Sequence, residues 1–305
     1  MRRTAFIIFC LTWVSLNKVF LEALYVEANL ISHNVTKNET NSREETVNKF
    51  SDTLQYSIVN GHQAKIRHFF VRVSRVGHPN IFCGGACIGA LWVITAATCV
   101  LGAEASAVVV EIGDFTSTRT FLKKRFTQKI FIPNNFEKSN RPLNNIALLQ
   151  LFKRINAFHQ IQICPKPMDL GHTLAFTGLG STTRKLTTLP KTLQEMPLYE
   201  SVFESASPFE MEGCRSQDIC TENILEDSNM CMHDEGSPIF SLLCVRATQI
   251  VKPNCLYGVA SYFINKTHIN GHPPMQSGSI CNDGSVFARL TNHLDWIYSV
   301  TGQLH

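Results

Sequence analysis

The chain has 305 residues, of which 44% are hydrophobic and 17% charged, enough for one large or two small cores. Its net charge of +4 is modest and spread along the chain, which makes no case for nucleic-acid binding.

Met1-Arg2-Arg3 followed by the apolar run Ala5 to Val14 predicts a secretory signal peptide over residues 1–24. A short membrane anchor is the weaker reading. The run falls below the roughly 20 apolar residues that span a bilayer, and polar Asn17 and Lys18 follow it. No later stretch is apolar enough to span a membrane. One of the eleven cysteines, Cys10, lies in the signal; the other ten suit five disulfides in an oxidising compartment. Sequons at Asn34, Asn38 and Asn265 agree with a secreted, extracellular glycoprotein. Residues 25–57 are polar and lack apolar periodicity, so they cannot bury enough surface to offset their ordering entropy. They read as a flexible, glycosylated pro-segment, and they contain no cysteine to tether them.

From Ile58 to about Gly302, short β-type runs alternate with Gly- and Pro-rich punctuation. Phe69–Val73, Ala107–Ile112 and Ile146–Leu151 are examples. The pattern predicts an all-β sandwich or barrel pair, not βαβ units. Leu290, Leu294 and Ile297 recur at helical spacing and predict an amphipathic C-terminal helix over Leu290 to Val300. Eleven scattered histidines form no HExxH motif or close cluster, so neither a metal nor a cofactor is expected. His62, His68 and His78 are expected at the surface. Gly178-Leu179-Gly180 is expected to be a loop turn, not a phosphate cradle.

Four stretches carry more information. Ile58-Val59-Asn60-Gly61 opens the β-rich region. Cys83-Gly84-Gly85 leads into Trp92-Val93-Ile94-Thr95-Ala96-Ala97-Thr98-Cys99. Asn145-Ile146-Ala147-Leu148-Leu149 follows, and then Cys231-Met232-His233-Asp234-Glu235-Gly236-Ser237-Pro238. In order and spacing they resemble the activation, general-base, orienting and nucleophile motifs of trypsin-like serine proteases, over roughly residues 58–302. The resemblance implies two packed six-stranded antiparallel β-barrels of the chymotrypsin-like kind, with a C-terminal α-helix.

The same resemblance puts Thr98 where the base histidine belongs, Asn145 at the orienting aspartate and Glu235 at the nucleophilic serine. His233 replaces a glycine whose backbone N–H helps form the oxyanion hole. The chemistry needs a hydroxyl nucleophile, a near-neutral base and a carboxylate to orient it. Thr98 cannot accept a proton, Asn145 is uncharged and Glu235 has no hydroxyl. Ser237 is two residues too far on. A Glu235–His233 acid–base pair is conceivable if the segment is extended, because residues two apart then point the same way. The specificity-pocket positions would be Asn229, Ser261, Tyr262 and Phe263. Phe263 stands where the family has a glycine, and either narrows the pocket or turns into the core. Ile58 would be the freed N-terminus of an activated chain and Asp234 its buried partner. Ser57 precedes Ile58, so either a protease that is not trypsin-like cuts there or the chain stays uncut.

Register with the family implies disulfides Cys83–Cys99, Cys214–Cys220 and Cys231–Cys281, with Cys244–Cys255 as a hairpin pair and Cys87–Cys164 left over. The expected function is that of a secreted, catalytically inactive serine protease homologue. Its partner would be a protein: an active protease, its substrate or an inhibitor, with no nucleic acid and no membrane span. The alternative is a trypsin-like endopeptidase with non-standard or residual activity.

Overall fold

Alternation along β-branched strands decides which side chains fill each core. In the computed structural model, residues 61–119, 121–167, 173–181, 190–200, 215–223, 230–241, 254–264 and 284–302 are described. The expected signal peptide and pro-segment, with Ile58, Asn34, Asn38, Asn265, Asn229, Cys214, Cys244 and Cys281, lie outside them.

The first strand, β1 (His62–Gln63), is followed by β2 (Phe70–Arg75), β3 (His78–Gly89), β4 (Trp92–Thr95), β5 (Val108–Ile112), β6 (Lys123–Phe131) and β7 (Ala147–Leu151). Strands β2-β3-β4-β7-β6-β5 close into a six-stranded barrel. Its interior is aliphatic, with Val71, Val73, Val93, Val110, Leu149 and Leu151 among the buried residues. Each fully buried side chain of this kind contributes about 1.5–3 kcal/mol.

The second half comprises β8 (Gln162–Ile163), β9 (Thr173–Gly178), β10 (Gln194–Glu200), β11 (Asp218–Asn223), β12 (Pro238–Ser241), β13 (Cys255–Ile264) and β14 (Gly284–Arg289). β9, β10, β11, β14, β13 and β12 pair successively, and β12 pairs back with β9, so the pairings form a second six-membered ring. β1 adds to β10. β8 runs parallel to β13, a departure from the all-antiparallel expectation.

A separate cluster lies on the seam between the two rings. It joins Ala86, Ile94 and Leu148 of the first to Phe240, Leu256 and Val259 of the second. Leu290 and Ile297 add to it from the C-terminal segment, which begins as a 3₁₀ turn (Leu290–His293) and continues as an α-helix (Leu294–Thr301). Gly302, with φ of 72°, ends that helix, as glycine commonly does. Arg67 also ties the halves by a two-pronged bond to Glu195, at 2.6 and 2.7 Å.

Cys83 and Cys99 are bonded as expected, and Cys220 and Cys231 are both in disulfides. Two expected bonds are not made. Cys164 pairs with Cys255, not with Cys87, and Cys255 is therefore unavailable to Cys244. The cause is strand parity together with the β8 pairing. On β3, Ala86 and Ile88 face the seam, so Cys87 between them faces the barrel interior, where it is a buried free thiol. The parallel β8–β13 register brings Cys164 and Cys255 to a Cα–Cα distance of 5.0 Å, within disulfide range.

Candidate functional site

Three short segments meet at the seam. The first is a single helical turn, Ala97–Val100, which continues from β4 and holds Thr98 at the surface. The Cys83–Cys99 bond fastens this turn to β3. The second is the entry to β7, where Asn145 is buried. Asn144 before it has φ of 52°, a left-handed conformation that asparagine tolerates. Asn145 Oδ1 accepts the Thr98 backbone N–H at 3.0 Å, and its Nδ2 donates to Thr98 Oγ1 at 3.3 Å and Ser261 Oγ at 3.0 Å. An amide is both donor and acceptor, so it joins these groups without a charge.

The third segment is the turn Cys231 to Ser237. The Asp234 N–H bonds the Cys231 carbonyl, and the Ser237 N–H bonds the Asp234 carbonyl. Two residues are left-handed: His233 (φ 74°) and Gly236 (φ 77°). Gly236 has no alternative, since a Cβ there would meet Gly84 O and the Ala96 nitrogen. His233 does have a Cβ, and a left-handed residue of that kind costs about 1–2 kcal/mol. Its ring stacks on Phe82 with centroids 5.1 Å apart, and its Nδ1 lies 3.2 Å from the Phe82 carbonyl. A carbonyl only accepts, so Nδ1 is the protonated nitrogen.

This turn sends Glu235 backwards. Its Oε2 accepts the His233 backbone N–H at 3.1 Å, and its own backbone N–H supports the carboxylate as well. Burial pushes its carboxyl above the usual range; the two N–H groups and nearby His233 pull the other way. Because the segment is turned and not extended, the two side chains diverge, one to Phe82 and one to the backbone, and no acid–base pair forms. Glu235 O accepts the Gly84 N–H at 2.8 Å, which brings the turn against the first barrel. Ser237 is buried, its hydroxyl lacks a hydrogen-bond partner among the described residues, and it packs where a Cβ on Gly84 would collide with it.

Asp234 is fully buried. It accepts N–H groups from Gly180 at 2.7 Å and Cys231 at 3.0 Å. Burial pushes its carboxyl up to about 7, the two bonds oppose that, and the Glu235 charge adds to it. Among the described residues no cation pairs with it. Gly178 and Gly180 are glycines for this reason: a Cβ at either would strike the Asp234 carboxylate. The expected loop turn at Gly178-Leu179-Gly180 is instead the end of β9, where Gly178 pairs with Gln194, and the residues just after it.

Residues 58–297 match the Trypsin family. The chain belongs to the trypsin family. Human azurocidin is 26% identical over 252 residues, covering 80% of this chain and 86% of azurocidin. Chymotrypsin-2 of Vespa crabro is 28% identical over 225 residues, covering 72% of this chain and 88% of its own. Phenoloxidase-activating factor 3 of Holotrichia diomphalia is 26% identical, covering 72% and 64%. Among solved structures, the scabies mite inactivated protease paralogue S-D1 superposes with a TM-score of 0.58 at 21% identity, over 81% of this chain and 99% of that one.

The other residues of interest in this trypsin-family chain sit as follows. Ser261 is turned to Asn145. The Tyr262 hydroxyl donates to Asp218 Oδ2 at 3.2 Å, and burial with that neighbouring charge pushes its phenol up to about 12. Phe263 is half-buried against the second barrel's core, so it turns inward. His62 and His78 are exposed. His68 is half-buried instead, because it packs on Phe158 at 3.9 Å. Among the described residues no group of three His, Cys, Asp or Glu is placed to hold a metal. No described helix is long and apolar enough to cross a membrane.

Proposed function

We propose that this trypsin-family chain is secreted and catalytically inactive, and that it acts by binding a protein: an active protease, its substrate or an inhibitor. The observation that carries the reading is the Glu235 carboxylate. It occupies the nucleophile position of the resemblance and accepts the His233 and Glu235 backbone N–H groups. Those donors are where a hydrolase would stabilise the negative charge that develops on a substrate oxygen. A built-in carboxylate uses up the donors and repels that charge. Thr98 and Asn145 bond each other and Ser261, with no base among them. Two β-rings held by disulfides can present connecting loops for recognition without any chemistry of their own.

The test uses purified full-length protein and a fluorophosphonate probe for active serine hydrolases, alongside hydrolysis of a denatured-protein substrate. No labelling and no turnover above buffer are expected. Labelling that disappears on heat denaturation overturns the inactive reading in favour of residual endopeptidase activity.

A further inference from the structure

The charge of this chain is less evenly spread than its total suggests. Residues 115–168 hold ten Lys and Arg and a single acid, Glu137, a net of +9; the remaining residues therefore carry −5 of the overall +4. Part of this stretch folds into the adjacent strands β6 and β7. Their inward side chains Thr127, Leu149 and Leu151 are buried in the barrel. Because Thr127 opposes Leu151 on the inward face, Phe126 and Phe152 are cross-strand neighbours on the outward face, joined by a 3.1 Å bond from the Phe152 N–H to the Phe126 carbonyl. Phe126 is 52% and Phe152 61% exposed. Two large aromatic residues exposed at neighbouring cross-strand positions give this face an apolar centre.

Cations frame the pair. Lys124 lies two residues from Phe126 on the same face, and its ammonium is 3.8 Å from Glu111, an acid already held by Arg72. Lys129 opposes Gln150, two residues from Phe152, and Lys153 and Arg154 follow Phe152 directly. All four are exposed. Among the described residues, Lys129, Lys153 and Arg154 have no carboxylate within ion-pair distance. The face thus combines an apolar centre with a positive rim and almost no negative charge.

We propose that this outer face of β6 and β7 docks on an anionic lipid surface. A polyanion in water, such as a sulfated polysaccharide, satisfies the cations and leaves the phenylalanines exposed. A bilayer interface satisfies both, since rings enter the headgroup and acyl boundary while Lys and Arg meet acidic headgroups. This attachment is peripheral and needs no membrane-spanning segment.

Sedimentation of full-length protein with vesicles of phosphatidylcholine, with or without phosphatidylserine, tests it. Binding is expected only with phosphatidylserine and should weaken as salt rises. Each cation removed should weaken it about fivefold, so Lys129→Glu with Arg154→Glu should cost well over that. Phe126→Ser with Phe152→Ser should weaken it more than tenfold. The substituted side chains are exposed, and unchanged thermal unfolding establishes that the variants fold. Failure to bind phosphatidylserine vesicles at low salt overturns the proposal. So does vesicle binding that survives loss of both phenylalanines. Heparin retention that is stronger than vesicle binding and indifferent to the phenylalanines assigns the face to a sulfated polysaccharide and likewise overturns it.

Discussion

Asp234 makes this fold sensitive to pH in a direction opposite to that of an ion-paired carboxylate. Its carboxyl is pushed to about 7 in the folded chain, from an ordinary 3.8. Between those values the folded state keeps a proton that the unfolded chain has released. The folded state then binds more protons, so stability falls as pH rises. The stabilisation is complete below pH 3.8 and is lost as pH passes 7. At 1.36 kcal/mol per pH unit the loss is about 4 kcal/mol, a large share of a typical total of about 5–15 kcal/mol. Glu235, also raised, acts in the same sense. Asp234→Asn removes the titration. It also turns an amide N–H₂ toward one of the donors from Gly180 and Cys231, which costs about 1–3 kcal/mol at every pH. The two stability curves should therefore cross: the variant is weaker at pH 4–5 and equal or stronger near pH 8. Urea unfolding at fixed ionic strength across pH 4–8 measures both slopes. A variant slope as steep as that of the parent chain would refute the assignment. A second arm tests the role of Ile58. When the chain is cut after Ser57 through an engineered protease site, a buried amine paired with Asp234 should return the carboxylate to its ionised form and flatten the slope. An unchanged slope after complete cutting rules that pairing out.

Four further outcomes follow from the site and the core. Glu235→Ser should remain unlabelled by a fluorophosphonate probe, because Thr98 cannot take the serine proton; labelling above the heat-denatured control would show a base that the geometry lacks. Cys87, buried with its thiol pKa pushed up by desolvation, should react with a soluble thiol reagent only on unfolding, whereas Cys164→Ser should free Cys255 and lower stability by about 2–4 kcal/mol in denaturant titrations. Gly236→Ala, which combines positive φ with a collision against Gly84 O, should lower stability by about 2–4 kcal/mol, and a thermal midpoint unchanged from the parent would contradict the packing at the seam.

Much of the architecture was legible because it is written in local patterns. The aliphatic runs at Val108–Ile112 and Ala147–Leu151 are strands, and Leu290 and Ile297 do bury one face of a C-terminal helical segment. What sequence missed depends on parity and long-range register. Cys87 looked like a partner for Cys164, but one residue of offset from Ala86 turns it into the barrel. The two-residue parallel strand that places Cys164 beside Cys255 is too short to leave a periodic signal. The conditional Glu235–His233 pair needs an extended segment, but His233 is left-handed, a conformation that sequence rarely signals outside glycine, and the turn directs Glu235 to the His233 backbone N–H. The clustering of charge between residues 115 and 168 was present in the sequence and hidden by the overall total.

If Thr98, Asn145 and Glu235 stand at the catalytic positions, as the proposed reading has it, they form a physically coupled set. A carboxylate at position 145, fully buried and facing Thr98, would have no base to orient and no cation to offset its desolvation, which costs several kcal/mol for an unpaired buried ion. Asparagine accepts the same Thr98 N–H and donates to Ser261, so it preserves the local bonds and removes the charge. Once position 98 cannot accept a proton, an uncharged residue at 145 is the stable choice. Once neither supports a nucleophile, a carboxylate at 235 can take the backbone donors that would otherwise face water or a substrate. Asp234, Gly178, Gly180 and Gly236 answer to a different constraint. They determine whether the turn closes against the rest of the fold, and their packing is the same whether or not chemistry takes place beside them.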